Sequence, residues 1–349
     1  MSGESATPGP TLFQQQDANR HRTTLLVVCF VLFFAWLGFG GDYIYYLATL
    51  HNLPYETHHT FPWFGILLTV VAAWIAWYGY STGPEKVLWS TGAHEITDPA
   101  TDQEKQLVNV VEEMAIAAGI PRPRIWIVDD PAPNAFATGT DPQHAHIAVT
   151  QGLLDLMSRD ELQGVVAHEL GHIKNFDVRL MTTLAALVGV VLLIRDGTGR
   201  FFWGGRSGGR SRGKGEGDLG ALVVVLLVIW ILSWILAPII TQMLAMAVSR
   251  KREYLADAMS AQFTRNPTAL ANALQKIETS DAPATHLKAG AAHLCICDPL
   301  DRKLNDHPGT LGDVMASHPP IEMRIIRLKG MGYAQAKAEG HLPPDTPPA

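Results

Sequence analysis

The stretch VVAHELGHIKN, Val165 to Asn175, sets His168 and His172 four residues apart, with Glu169 directly after the first. On a helix, residues four apart share one face, so the two imidazoles can offer nitrogens to one ion at Zn–N distances of about 2.0–2.1 Å. Glu169 adjoins the first ligand and can take a proton from a zinc-activated water. A core helix with two chance histidines is the competing reading, but it would bury an ionisable trio without partners. The flanking Val165, Val166, Ala167, Leu170 and Ile173 are uncharged, as expected of a helix packed into a core with only its metal face open.

A catalytic zinc takes three protein ligands and keeps a fourth position open. The third ligand must come from elsewhere, and SRKREYLADAMSA (249–261) offers Glu253 and Asp257, again at i and i+4. Two apolar runs lie between this segment and the histidines. Paired as a membrane hairpin, they bring their two ends together. Glu253 then completes the ligand set, and Asp257 accepts the second N–H of a ligand histidine and fixes its tautomer. Taken alone, REYLAD is a charged helix end at a bilayer surface.

The elements that must position these residues begin in the membrane. Apolar residues make up 47% of the 349 and charged residues only 17%. Thr23–Gly40, Phe61–Tyr80, Leu180–Ile194 and Leu219–Ala247 carry no charge. About 20 such residues cross a bilayer, so four hydrophobic segments are expected, the third reaching that length only with 176–180 at the interface. The first reads as a retained anchor, since GDYIYY follows it where a small-x-small cleavage site would stand. Segments so free of ionisable groups argue against a channel or transporter. The net charge of −6 gives no bias toward nucleic acid.

Arg20 and Arg22 precede the first segment, 41–60 has no Lys or Arg, and Lys86 follows the second. The positive-inside rule therefore puts the N-terminus and 81–177 in the cytoplasm. The loop Arg195–Asp218 carries Arg195, Arg200, Arg206, Arg210, Arg212 and Lys214. Either it lies outside against the rule or the last hairpin is re-entrant; both options leave the flanking residues on one side.

Residues 1–19 read as a disordered tail, 20–80 as two transmembrane helices, 81–177 and 249–338 as the two parts of a catalytic domain, 178–248 as the hairpin and 339–349 as a Pro-rich tail. In the first catalytic part, 103–118 has helical apolar spacing ended by Gly119. Arg124–Val128 reads as a strand, PAPNAFATG and HIAVT as two more around the turn TDPQ, and Ser158–Glu161 as a capping box opening the motif helix. His144 and His146 read as one strand face, as do Cys295 and Cys297. Gly171 inside the motif helix costs about 1 kcal/mol against alanine, which suggests a close neighbour or substrate there. The expected fold class is an integral membrane α-helical protein with four hydrophobic segments and a mainly α, small β-sheet, zincin-like domain of the gluzincin type.

PNAFATG (133–139), HELGHIKNFD (168–177), SRKREYLADAMSA (249–261) and SHPPIEMRI (317–325) resemble, in the same order, the HtpX family of membrane zinc metalloproteases, which is related to the CaaX prenyl proteases. The resemblance runs from about Thr23 to Leu328. It implies one Zn2+ on His168, His172 and Glu253, Glu169 as general base, and a site at the cytoplasmic face of a bacterial inner membrane. Its substrates would be misfolded or damaged membrane proteins or unfolded polypeptides. It also implies substrate contacts at Asn134, Ala135 and Phe136, where an exposed strand edge can bond an extended peptide irrespective of its sequence. His318 and Arg324 are candidates to stabilise the oxyanion; a turn-capping histidine and a carboxylate-pairing arginine are the alternatives. A CaaX-type protease would have more membrane segments, and a non-catalytic chaperone or scaffold would lack Glu169.

Overall fold

The computed structural model describes residues 12–52, 61–184, 186–187, 228, 232, 250–285, 294–296 and 319–341. Helix α1 spans Leu12–Asn52 and α2 spans Trp63–Ser90; both are long and apolar enough to cross a membrane. Leu25, Leu32, Trp36, Leu67, Trp74 and Trp77 stand exposed along them, as side chains facing lipid rather than a protein core would. Asp42, buried in α1, accepts from the Gly65 N–H at 2.6 Å, which satisfies an otherwise orphan donor in the first turn of α2. The rest of the third segment, the fourth apart from isolated helical positions, the loop Arg195–Asp218 and Cys297 lie outside the described residues.

Both ends of α1 depart from the expected boundaries. Residues 12–19 are helical, where a disordered tail was expected, and 41–52 continue the helix where a loop was expected. No proline interrupts 12–52, and the polar side chains of the first turns find partners on the catalytic domain, so the helix extends past its apolar stretch. Helix α2 likewise runs beyond Tyr80, through a buried Pro84.

The catalytic part is a small mixed sheet covered by helices. Strands β1 (His94–Glu95), β2 (Arg124–Val128), β3 (Ala135–Gly139) and β4 (Ala145–Thr150) lie in the order β1-β2-β4-β3, with β2 and β4 parallel and β3 antiparallel to β4. His144 falls in a 3-10 turn before β4, not on the strand, because Asp141 accepts from the Gln143 and His144 N–H groups and tightens the chain there. His146 stays on β4 and accepts from the Trp126 indole at 3.1 Å. Helix α3 (Asp102–Ala118) opens on a capping box of Thr101 and Glu104 and ends at Gly119 with φ 67°. After the short α4 (Gln151–Leu156), α5 (Arg159–Lys174) opens on the expected Ser158–Glu161 box. Among the described residues, helices α6 (Arg250–Thr264), α7 (Pro267–Glu278) and α8 (Ile321–Ala338) follow.

Helix α5 is the axis of this core. Leu162, Val165, Val166, Leu170 and Ile173 join Leu107 and Val111 of α3, Ile147 of β4 and Leu270 of α7 in one buried cluster. Two glycines set how closely its neighbours approach. A Cβ on Gly171 would meet Ala256 Cα of α6 at 3.3 Å, so the close neighbour expected there is α6. One on Gly164 would meet the Leu270 backbone N at 2.8 Å, a contact that requires α7 to move.

Gly164→Ala is therefore expected to cost about 1–3 kcal/mol through overpacking, and Gly171→Ala less. Thermal unfolding in detergent would check the order; equal melting temperatures for the two variants would contradict it.

Candidate active site

The apolar face of α5 packs into the core, which leaves its polar stripe, His168, Glu169 and His172, toward α6 and β3. His168 and Glu169 are almost fully buried and His172 is half-buried. Glu253 comes from α6. His168, His172 and Glu253 present one ligand atom each within 4.8 Å of one another. The two Nε2 atoms are 3.2 Å apart, with Glu253 Oε1 3.5 Å from His172 Nε2 and Oε2 3.6 Å from His168 Nε2.

The second nitrogen of each ring has its own carboxylate. His168 Nδ1 lies 3.1 Å from Asp257 Oδ1, and His172 Nδ1 lies 3.2 Å from Asp177 Oδ2. Each Nδ1–H then donates outward, which directs both Nε2 lone pairs at one point beside a carboxylate. Such a converging set of acceptors repels itself unless a cation stands among them, so the donor chemistry fits Zn2+. Burial alone would pull the His168 pKa down, but its bonds to Asp257 and Glu253 raise it to about 9. The site therefore attracts positive charge. Burial pushes the Glu169 carboxyl up, while His168 and His172 pull it back.

Asp257 is in turn gripped by Arg324 of α8. Nε donates to Oδ2 at 3.0 Å and Nη2 to Oδ1 at 2.7 Å, while Nη1 donates to the Ile296 carbonyl at 3.3 Å. Nη1 also stands 3.4 Å from Glu253, and Nη2 3.3 Å from His168 Nε2. Burial pushes the Asp257 carboxyl up, and the Arg324 charge and His168 overcome this and hold it below its ordinary range. Arg324 is wholly buried and does not line the cavity beside the histidines. Its geometry is that of the carboxylate-pairing alternative, behind the ligands. His318 lies outside the described residues.

The strand edge also differs from expectation. Asn134, Ala135 and Phe136 are fully buried. The Asn134 carbonyl accepts from Thr150 N on the β4 side, and its Oδ1 accepts from Ala135 N. The outward Ala135 carbonyl accepts from Ile296 N at 2.9 Å, and Cys295 bridges to Phe136. Backbone groups alternate sides along a strand, so Ala135, Ala137 and Gly139 face away from β4. Gly139 N donates to Thr182 Oγ1 at 3.3 Å. Ala137, whose peptide groups also point away from β4 beside residues 294–296, lines a cavity of about 40 Å³ with His168, Glu169, His172, Asp177 and Arg252. That volume holds a few waters at most.

Asp177, Ala137 and residues 294–296 were absent from the site expected from sequence. Asp177 stands inside the motif HELGHIKNFD, five residues after His172, a spacing off the helical face; only the turn at Phe176, with φ 59°, returns it to the ring.

The model of peptidase family M48 matches residues 101–332. A curated Protease HtpX homolog of Dictyoglomus thermophilum is 43% identical over 270 residues, 77% of this chain and 82% of that protein. Another, of Caldanaerobacter subterraneus subsp. tengcongensis, is 40% identical over 331 residues, 92% of this chain and 98% of that protein. A solved structure of S. mikatae Ste24p is 17% identical, with a TM-score of 0.46 covering 90% of this chain and 66% of that one.

Arg324→Met is expected to lower stability by about 3–5 kcal/mol, because it leaves the buried Asp257 carboxylate without its guanidinium. Denaturant unfolding checks this. A fully stable variant with a selective loss in kcat would instead point to contact with the reacting substrate.

Proposed function

The chain belongs to peptidase family M48, among the relatives of HtpX, and is a membrane zinc metalloprotease; we propose that it is an endopeptidase acting on misfolded or damaged membrane proteins and unfolded polypeptides. The observation that carries this reading is the convergence of His168, His172 and Glu253 within 4.8 Å, with Glu169 and the outward backbone of Ala137 in the same cavity. His168, His172 and Glu253 would hold the metal. Zinc, when bound, acidifies water and polarises a carbonyl.

Glu169 accepts the proton of the attacking water as its oxygen adds to the scissile carbonyl carbon. It then delivers that proton to the amine as the C–N bond breaks. Asp257 and Asp177 keep the two imidazoles turned toward the metal position. Substrate pairs with β3 as an added strand through the Ala137 N–H and C=O, a mode that uses main chain and tolerates many sequences. Residues 294–296, which bond the neighbouring Ala135, lie along this edge and would shift outward to admit a peptide.

The active site is assigned to the cytoplasmic face of the plasma membrane. The end of α1 that carries Arg20 and Arg22 packs against the end of α5, and the end of α2 that carries Lys86 leads into the catalytic domain. By the positive-inside rule those ends are cytoplasmic. A centre at that height meets chains whose hydrophobic segments are still in or near the bilayer, which suits membrane-protein substrates.

Cleavage of an unfolded test polypeptide in detergent should stop on chelation and return with zinc. Glu169→Gln should retain zinc and lose about 10²–10⁴-fold in kcat; loss of zinc together with activity would remove Glu169 from the role of base. Ala137→Pro deletes the outward N–H on an edge strand, where proline is tolerated. It should lower kcat/KM at least tenfold with zinc content unchanged, and undiminished cleavage would rule out docking at Ala137.

A further inference from the structure

We propose that the first membrane helix is part of the active site: Asn19 of α1 holds the Asp177 carboxylate in the orientation from which it fixes His172, so zinc affinity is set in part from α1. The proposal rests on the reading of His172 as a zinc ligand.

The two oxygens of Asp177 are divided between separate tasks. Oδ2 faces His172 Nδ1 at 3.2 Å. Oδ1 accepts from Asn19 Nδ2 at 2.7 Å, with Arg252 Nη1 3.7 Å away. Asn19 and Asp177 are both buried, so water does not substitute freely for either partner. Asn19 Nδ2 also donates to the Asn175 carbonyl at 3.1 Å, which ties the amide to the turn as well as to the carboxylate. A carboxylate held only by a histidine can rotate about its own side-chain bonds. One whose other oxygen is bonded to a fixed amide cannot, and ring orientation at a metal is set by such partners.

The turn that carries Asp177 needs an external hold. Phe176 has φ 59°, a left-handed conformation unfavourable for a large side chain. It reverses the chain between α5 and the helical stretch 177–184, whose first residue is Asp177. Residues Gln16, Asn19, Arg20 and Thr23 of α1, at i, i+3, i+4 and i+7, form a polar stripe over this reversal. Gln16 Nε2 donates to the Lys174 carbonyl at 2.9 Å, an unpaired acceptor at the end of α5. The Arg20 guanidinium lies 4.6 Å from the centre of the Phe176 ring. Thr23 Oγ1 donates to the Asn19 carbonyl at 2.9 Å.

The two ligand histidines are thus held by parallel constructions. His168 is oriented by Asp257, which Arg324 grips from α8. His172 is oriented by Asp177, which Asn19 grips from α1. Asn19 and Asp177 are positioning residues; neither needs to touch substrate.

The test uses full-length protein in detergent, stripped of metal. Zinc affinity is measured by competition with a chromophoric chelator, and ligand geometry by the visible spectrum of the Co2+ form. Asn19→Ala and Asp177→Asn should each weaken zinc binding by about tenfold or more and shift the Co2+ bands. The double variant should bind no more weakly than Asp177→Asn alone, because Asn19 acts through Asp177. Thr24→Ala, on the same helix but bonded only to the Arg20 carbonyl, should leave affinity unchanged. If Asn19→Ala lowers the melting temperature of metal-free protein but keeps zinc affinity within about twofold and the Co2+ spectrum intact, α1 is only a structural clamp and the proposal is overturned. Should Asn19→Ala fail to fold, the isosteric Asp177→Asn decides: wild-type affinity there overturns the proposal equally. Wild-type protein that binds no zinc would overturn the metal-site reading itself, whereas zinc-loaded wild type with indifferent variants overturns this inference alone.

Discussion

A cluster of charge lies inside this domain, and each member has to be neutralised where little water reaches. Glu169, Glu253, Asp257 and Asp177 are all buried, together with His168, Arg252 and Arg324. Removing each ion from water costs several kcal/mol even after relaxation, so α5 can occupy the centre of the fold only if the elements bearing the countercharges close around it. That requirement ties α6 to α5 through Glu253 and Asp257, α8 to α6 through Arg324, and α1 to the end of α5 through Asn19 and Asp177. The apolar contacts of α5 build the core, but they do not select which face of each neighbour turns inward. The charges do.

The same arrangement gives the site a held back and a partly covered front. Behind the histidines, Asp257 and Asp177 are each held by a second donor, so ring orientation does not depend on solvent. In front, the β3 edge is partly covered by residues 294–296, attached through the Ile296 N–H to the Ala135 carbonyl.

Much of this was legible in the residues. The i, i+4 histidines, the capping box at Ser158, the Gly119 stop and the two long apolar runs are local patterns with local causes, and the elements formed where those patterns stood. Glu253 and Asp257 were legible too, as an i, i+4 acidic pair in SRKREYLADAMSA, and both stand beside the histidines. The boundaries of α1 were not. Its polar first turns look like a tail until their partners are in place, since Gln16 and Asn19 bond groups more than 150 residues away. The role of Arg324 was undecided for the same reason: an arginine's spacing does not say whether it faces a cleft or a carboxylate.

The sequence by itself determined which chemistry was possible, because metal-ligand spacing, helix caps and membrane-length apolar runs are written within a few turns of chain. Tertiary structure alone decided how that chemistry is held. It set Ala137 in the lining of the cavity beside the histidines and covered the β3 edge at Ala135 with Ile296. It set Arg324 behind Asp257, and it brought Asn19 to Asp177. Each of these depends on contacts between groups far apart in the chain, and burial makes such contacts decisive: a polar atom removed from water must find its partner wherever the fold puts one.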